Sequence, residues 1–148
     1  KQQIIFLHKS KRKKSYSMSS SKQPSSCTEN SLGTPWGLHV VSDKIGSGQK
    51  KGMVFEGRIP IGKIAEECSA EKQKRNLITS RILRLKGLEP AINQGGKVDS
   101  YKRYIYIHGT NHENNLGKPA SSGCLQMSND CIIELFEEVP IGTHLYIH

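Results

Sequence analysis

Aromatic residues make up only 6% of this chain, and no apolar run approaches the ~18 residues that a membrane-spanning helix requires. The longest early apolar patch, Ile4 to Leu7, is also too short for the core of a secretory leader, which needs about 7–15 residues. No membrane span and no signal peptide are therefore expected within this chain. Only four cysteines occur, Cys27, Cys68, Cys124 and Cys131, and none forms a CxxC pair. That excludes a disulfide scaffold at this length. Cys124 and Cys131 are too far apart to bridge if both lie on one helix, where two turns separate them by roughly 10 Å. Pairing of Cys27 with Cys68 stays open. Acidic residues are outnumbered, 13 against 22 Lys and Arg, giving a formal net charge of +9. Part of that excess sits in one run, Lys9 to Ser15, which reads as a solvated hairpin loop. A basic balance favours polyanionic partners such as nucleic acid, anionic lipid or an acidic wall. The run lacks interleaved aromatics and no nucleic-acid-binding signature accompanies it, so no nucleic-acid partner is expected.

What is present is a turn-rich pattern of short strands. The 148 residues suit one domain, 1–148, with residues 1–29 as N-terminal strands around the basic hairpin. Leu38 to Ser42 reads as a strand, as does "GMVFEGRI" up to Pro60, and so does "LITSRILRL". Residues 62–76 read as a loop with one helical turn, and "AINQGGKVDS" as a polar loop. In "KRYIYIHG" the side chains alternate, with Tyr104, Tyr106 and His108 on one face. His108 thus ends a strand. Ile132, Leu135, Phe136 and Val139 form the stripe of one amphipathic helix, capped by Ser128, Asn129 or Asp130 and stopped by Pro140. A last strand follows in "GTHLYIH". The class predicted is mainly β.

Cys124 follows Gly123 shortly before that helix. A helix N-terminus favours negative charge and lowers a thiol pKa. Exposed N–H groups there suit a developing oxyanion. His108, distant in sequence, is a candidate base for this thiol. Two other readings compete: a buried inert cysteine, and a zinc set of His108, His112, Cys124 and Cys131. The second is disfavoured because "HGTNH" does not look helical. His8, His39, His144 and His148 show no partner pattern.

The segment "YIHGTNHENNLGKPASSGCLQMSND" resembles the L,D-transpeptidase catalytic domain, the YkuD-like family. His108 and Gly109 match its strand-ending histidine and small residue. Ser121, Gly123, Cys124, Leu125 and Met127 match its Ser/Thr-His-Gly-Cys motif and the residues after it. "NSLGTPWGLHVV" and "LFEEVPIGTHLYIH" extend the likeness from about Asn30 to His148. Ser122 stands where the family usually has histidine, and Gln126 where it usually has Arg or Asn.

The resemblance implies a β-sandwich-like domain with one helix after the catalytic cysteine. It implies an enzyme, a cysteine-dependent acyltransferase acting on peptidoglycan stem peptides. Cys124 would be the nucleophile, His108 the base, and Gly109 the residue whose carbonyl orients the imidazole. N–H groups of Ser122, Gly123 and Cys124 would form the oxyanion hole. Gln126, Ser121 and Arg81 are candidates for substrate binding, Arg81 as a cation for a stem-peptide carboxylate. No metal or organic cofactor is implied. Carbapenems are implied as inhibitors, a monomer as the working form, and the cell envelope as the location. The alternatives are an L,D-carboxypeptidase or endopeptidase on the same scaffold, or a non-catalytic wall-binding module.

Overall fold

The computed structural model describes residues 2–8 and 11–148. The fold is mainly β, with 39% strand against 16% helix. Strands β1 (Gln3–His8) and β2 (Lys11–Ser17) pair antiparallel as a separate two-stranded sheet. The basic run is therefore largely strand rather than loop, and Lys9 and Ser10 lie outside the described residues. Lys14 is spent on Glu134 and Glu138 of the main helix, clasping the hairpin to it.

Seven strands form the larger sheet: β3 (Gly37–Ile45), β4 (Met53–Glu56), β5 (Ile59–Ile64), β6 (Ile78–Gly87), β7 (Tyr106–Gly109), β8 (Leu125–Met127) and β9 (His144–Ile147). Along one path the order is β5-β4-β6-β3-β9, and β7 joins β6 to β8. Among the described strand pairs only β7 and β8 run parallel, with His108 opposite Gln126. The stretch "GMVFEGRI", expected as one strand, is instead strand β4, a tight turn and the start of β5. Gly57 and Arg58 both have positive φ, 53° and 69°, as a two-residue hairpin turn demands. Pro60 lies inside β5 rather than ending a strand. It is tolerated because β5 is at the sheet edge, where a missing N–H costs no ladder bond.

Beyond the strands, α1 (Ala70–Gln73) is a single turn and α2 (Asn129–Glu138) is the substantial helix. Ser128 caps α2, accepting from the Cys131 N–H. Ile132, Leu135 and Phe136 face inward as their spacing requires. They join Leu83, Leu85, Ile107, Leu125 and Met127 in the main core, which Ile4 and Tyr16 of the hairpin close from outside. On the opposite face of the sheet a smaller cluster gathers Met53, Phe55, Ile82 and Tyr106, with Cys124 packed against it. Cys27 and Cys68 are both buried and free, so the pairing left open by the sequence does not form.

Candidate active site

Strand parity sets the site. Ile107, Leu125 and Met127 point into the main core. Their neighbours Tyr106, His108, Cys124 and Gln126 are therefore on the other face. Ile82, which packs with Tyr106, lies directly across from His108 on β6. Cys124 precedes β8, so it and His108 are diagonal neighbours across the parallel pair, roughly 8 Å apart in backbone. No hydrogen bond joins sulfur to imidazole here.

Each group has its own partners. The His108 Nδ1 is 2.7 Å from the Gly109 carbonyl oxygen, which fixes the ring tautomer and leaves Nε2 as the free, basic nitrogen. Burial pushes the imidazole down from 6.5 to about 4, against the opposing pull of that carbonyl. The Cys124 Sγ accepts from the Tyr106 N–H and donates to the Tyr104 carbonyl, 3.4 Å in each case. Cys124 keeps part of its surface in solvent, yet the packing around it still disfavours charge. Desolvation pushes the thiol up from 9.0 to about 11, opposed by the Tyr106 N–H and the Arg103 charge. A lowered thiol pKa was expected from the helix terminus. The structure reverses this because β8 intervenes, and the α2 terminus is occupied by Glu113, whose Oε1 accepts from the Asn129 N–H at 2.7 Å. The resting pair is thus neutral thiol and neutral imidazole.

The turn before the cysteine is built by Ser121. Its hydroxyl donates to the Cys124 carbonyl at 2.5 Å and accepts from the Gly123 N–H at 3.2 Å. Gly123 has φ 126°, a region closed to side chains without strain. Of the three N–H groups expected at an oxyanion hole, that of Gly123 is therefore already engaged. Those of Ser122 and Cys124 have no acceptor among the described residues. Ser122 is exposed and lines a cleft of about 320 Å³ with Leu32, Lys97, Arg103, Tyr104 and Ile105. Gln126 is buried, and its backbone exchanges hydrogen bonds with Ser19 in both directions, at 2.8 and 2.9 Å.

Arg81 does not join this group. It is 6% exposed, its guanidinium donates to the carbonyls of Gln49 and Ser80, and it stacks over Phe136 under α2. His112 points to the Arg75 carbonyl at 3.0 Å, away from the thiol. Among the described residues no group of three or more His, Cys, Asp or Glu is placed to hold a metal.

Two features escaped the sequence. Arg103 donates to Ser26, Gly33 and Ser31, pinning the 26–33 loop while bringing a positive charge near Cys124. Asn129 gathers Thr79 and Ser80 hydroxyls on its Oδ1 and gives its amide to Thr110 and Glu113. That network walls in Gly109, where a Cβ would meet the Thr79 oxygen at 2.6 Å and Asn129 Oδ1 at 2.8 Å. The carbonyl that steers His108 is held by a position only glycine can fill.

The family model that describes the L,D-transpeptidase catalytic domain, YkuD, matches residues 1–147. The chain belongs to this family. Among curated relatives, the putative L,D-transpeptidase YqjB of Bacillus subtilis is 49% identical over 45 residues, covering 30% of this chain and 26% of that protein. The putative L,D-transpeptidase YkuD of the same species is 41% identical over 61 residues, 38% of this chain and 37% of that protein. The matched segments thus span well under half of these relatives. L,D-transpeptidase 3 from Mycobacterium tuberculosis, solved in complex with a faropenem-derived adduct, shares the fold with a TM-score of 0.53. It is 14% identical over 96% of this chain and 47% of its own.

Proposed function

We propose that this chain is one catalytic unit that acts on peptidoglycan stem peptides through a cysteine thioester. The observation that carries the reading is that Cys124 and His108 share one face of the β7–β8 pair, with His108 held by the Gly109 carbonyl. The Cys124 Sγ attacks the carbonyl carbon of the third residue of a tetrapeptide, and His108 Nε2 takes the thiol proton. N–H groups of Ser122 and Cys124 stabilise the oxyanion. The bond to the terminal D-alanine then breaks, and the imidazolium gives its proton to the departing amine. An amine of a second stem attacks the thioester, passes its proton to His108, and the sulfur leaves to recover that proton. The product is a 3→3 crosslink or an attached protein.

The high thiol pKa favours this concerted proton transfer over a standing thiolate–imidazolium pair. The two unengaged N–H groups support their oxyanion role, whereas Ser121 supports the turn and Gln126 the wall of the groove. Arg81 serves packing under α2 and not the substrate. No cofactor enters these steps. The reading places the chain as a monomer in the cell envelope, where its positive charge suits an anionic wall.

Incubation with a disaccharide-tetrapeptide tests the reading. Crosslinked dimers and release of D-alanine are expected, with both lost in Cys124→Ala. Tripeptide without dimers would replace transfer by hydrolysis, the L,D-carboxypeptidase alternative. Absence of any Cys124 adduct with tetrapeptide, carbapenem or faropenem, with the thiol shown to be free, would remove the enzyme reading.

A further inference from the structure

The tip of the β4–β5 hairpin carries an arginine where the turn geometry prefers glycine. Arg58 has φ 69°, in a left-handed region that costs a residue with a Cβ roughly 1–2 kcal/mol. Its guanidinium donates to the Tyr106 hydroxyl at 3.1 Å and lies over the Tyr104 ring, 5.0 Å from the centroid. Tyr104 is itself left-handed, with φ 56°. On its ring a second arginine, Arg84, also packs at 5.0 Å, and Arg84 stacks in turn on Tyr101 at 3.5 Å. Two strained residues therefore meet in one stack.

The stack is beside the nucleophile. The carbonyl of Tyr104 and the N–H of Tyr106 are the two groups that hold the Cys124 sulfur. Arg58 bonds the hydroxyl of one of these tyrosines and covers the ring of the other. It forms no salt bridge among the described residues, although Glu56 lies two residues away and pairs with Lys72 instead. A half-exposed guanidinium, already oriented by two tyrosines and lacking a carboxylate, is a prepared receptor for one. Pre-ordering removes much of the entropic cost of that contact. Gln126, on the same face, supplies no charge for the purpose.

We propose that Arg58 is a specificity-determining residue that binds a carboxylate of the acyl-donor peptide. The inference rests on the stem-peptide reading above. Two carboxylates of a donor have the required chemistry, the C-terminal one and that on the third-residue side chain. Calorimetric titration of the Cys124→Ala protein distinguishes them with four tetrapeptides: C-terminal acid or amide, each with diaminopimelate or lysine at position three. Removing the recognised carboxylate is expected to weaken binding about tenfold, as a charge-assisted contact near the surface implies. In Cys124→Ala/Arg58→Met that preference disappears, and Arg58→Lys restores part of it. Thermal unfolding checks that each variant folds. An undiminished acid preference in the Arg58→Met protein overturns the role of Arg58 alone. Failure of the Cys124→Ala protein to bind any of the four peptides overturns the stem-peptide reading and this inference with it.

Discussion

The Cys124 sulfur lies 3.4 Å from the carbonyl oxygen of Tyr104, a residue whose backbone is left-handed. That carbonyl accepts the S–H and so favours the protonated thiol, in line with the upward push of burial. Alkylation of Cys124 by iodoacetamide should therefore increase about tenfold per pH unit between pH 7 and about 10, because the thiolate is the reactive form. Peptide mapping separates this site from the other three thiols. A plateau near pH 7 would contradict the neutral resting pair.

Replacing His108 by alanine removes the proposed base but not the thiol. Acylation by tetrapeptide at pH 7 should fall roughly 100-fold or more. Simple alkylation at pH 10 should change little, since hydroxide then does the work. Equal losses in both assays would assign His108 a structural role only.

The buried imidazole also links stability to pH. Its pKa is about 4 folded against 6.5 as a free side chain, so the unfolded chain binds a proton first as pH falls. The contribution is fully present above pH 6.5 and is lost on acidification between 6.5 and about 4. Its full size is about 3 kcal/mol, from 1.36 kcal/mol per pH unit. Denaturant midpoints measured from pH 7 to pH 4 should fall more steeply for the wild type than for His108→Gln. Parallel curves would count against it.

Gly109→Ala forces a methyl against the Thr79 carbonyl and the Asn129 amide. A stability loss of about 1–3 kcal/mol is expected from overpacking, together with slower acylation as the His108 ring loses its anchor. Asn129→Ala strands the hydroxyls of Thr79 and Ser80 and should destabilise by about 2–3 kcal/mol. Denaturation of both variants beside the wild type measures these losses.

Arg81→Met tests the reassignment of that arginine. It should lower stability by about 1–3 kcal/mol, since two carbonyls lose their donor, while KM for the donor peptide stays unchanged. A raised KM with intact stability would return Arg81 to the groove.

Much of this was legible beforehand where pattern alone decides. The α2 stripe and the β6 run followed from spacing, and alternation with the motif put Cys124 and His108 on one face, although sulfur and imidazole bond to other partners here. Tyr104 did not, because alternation in "KRYIYIHG" suggests one continuous strand, whereas the chain turns at Tyr104 and β7 begins at Tyr106. Arg81 was expected in the groove as a cation for a stem-peptide carboxylate, yet the carbonyls of Gln49 and Ser80 and the Phe136 ring absorb it. The missing helix dipole at Cys124 had the same origin. A three-residue strand such as β8 is too short to show a period, so the thiol looked nearer to the helix than it is.

The reciprocal bonds between Ser19 and Gln126 have a practical meaning for handling the protein. Through them the N-terminal arm serves as the outer neighbour of β8, the short strand that follows Cys124. A version trimmed to begin beyond Ser21 would bare a row of amides and carbonyls along that flank. Bared flanks recruit other chains, so trimming should yield aggregates or swapped dimers in place of a smaller folded domain.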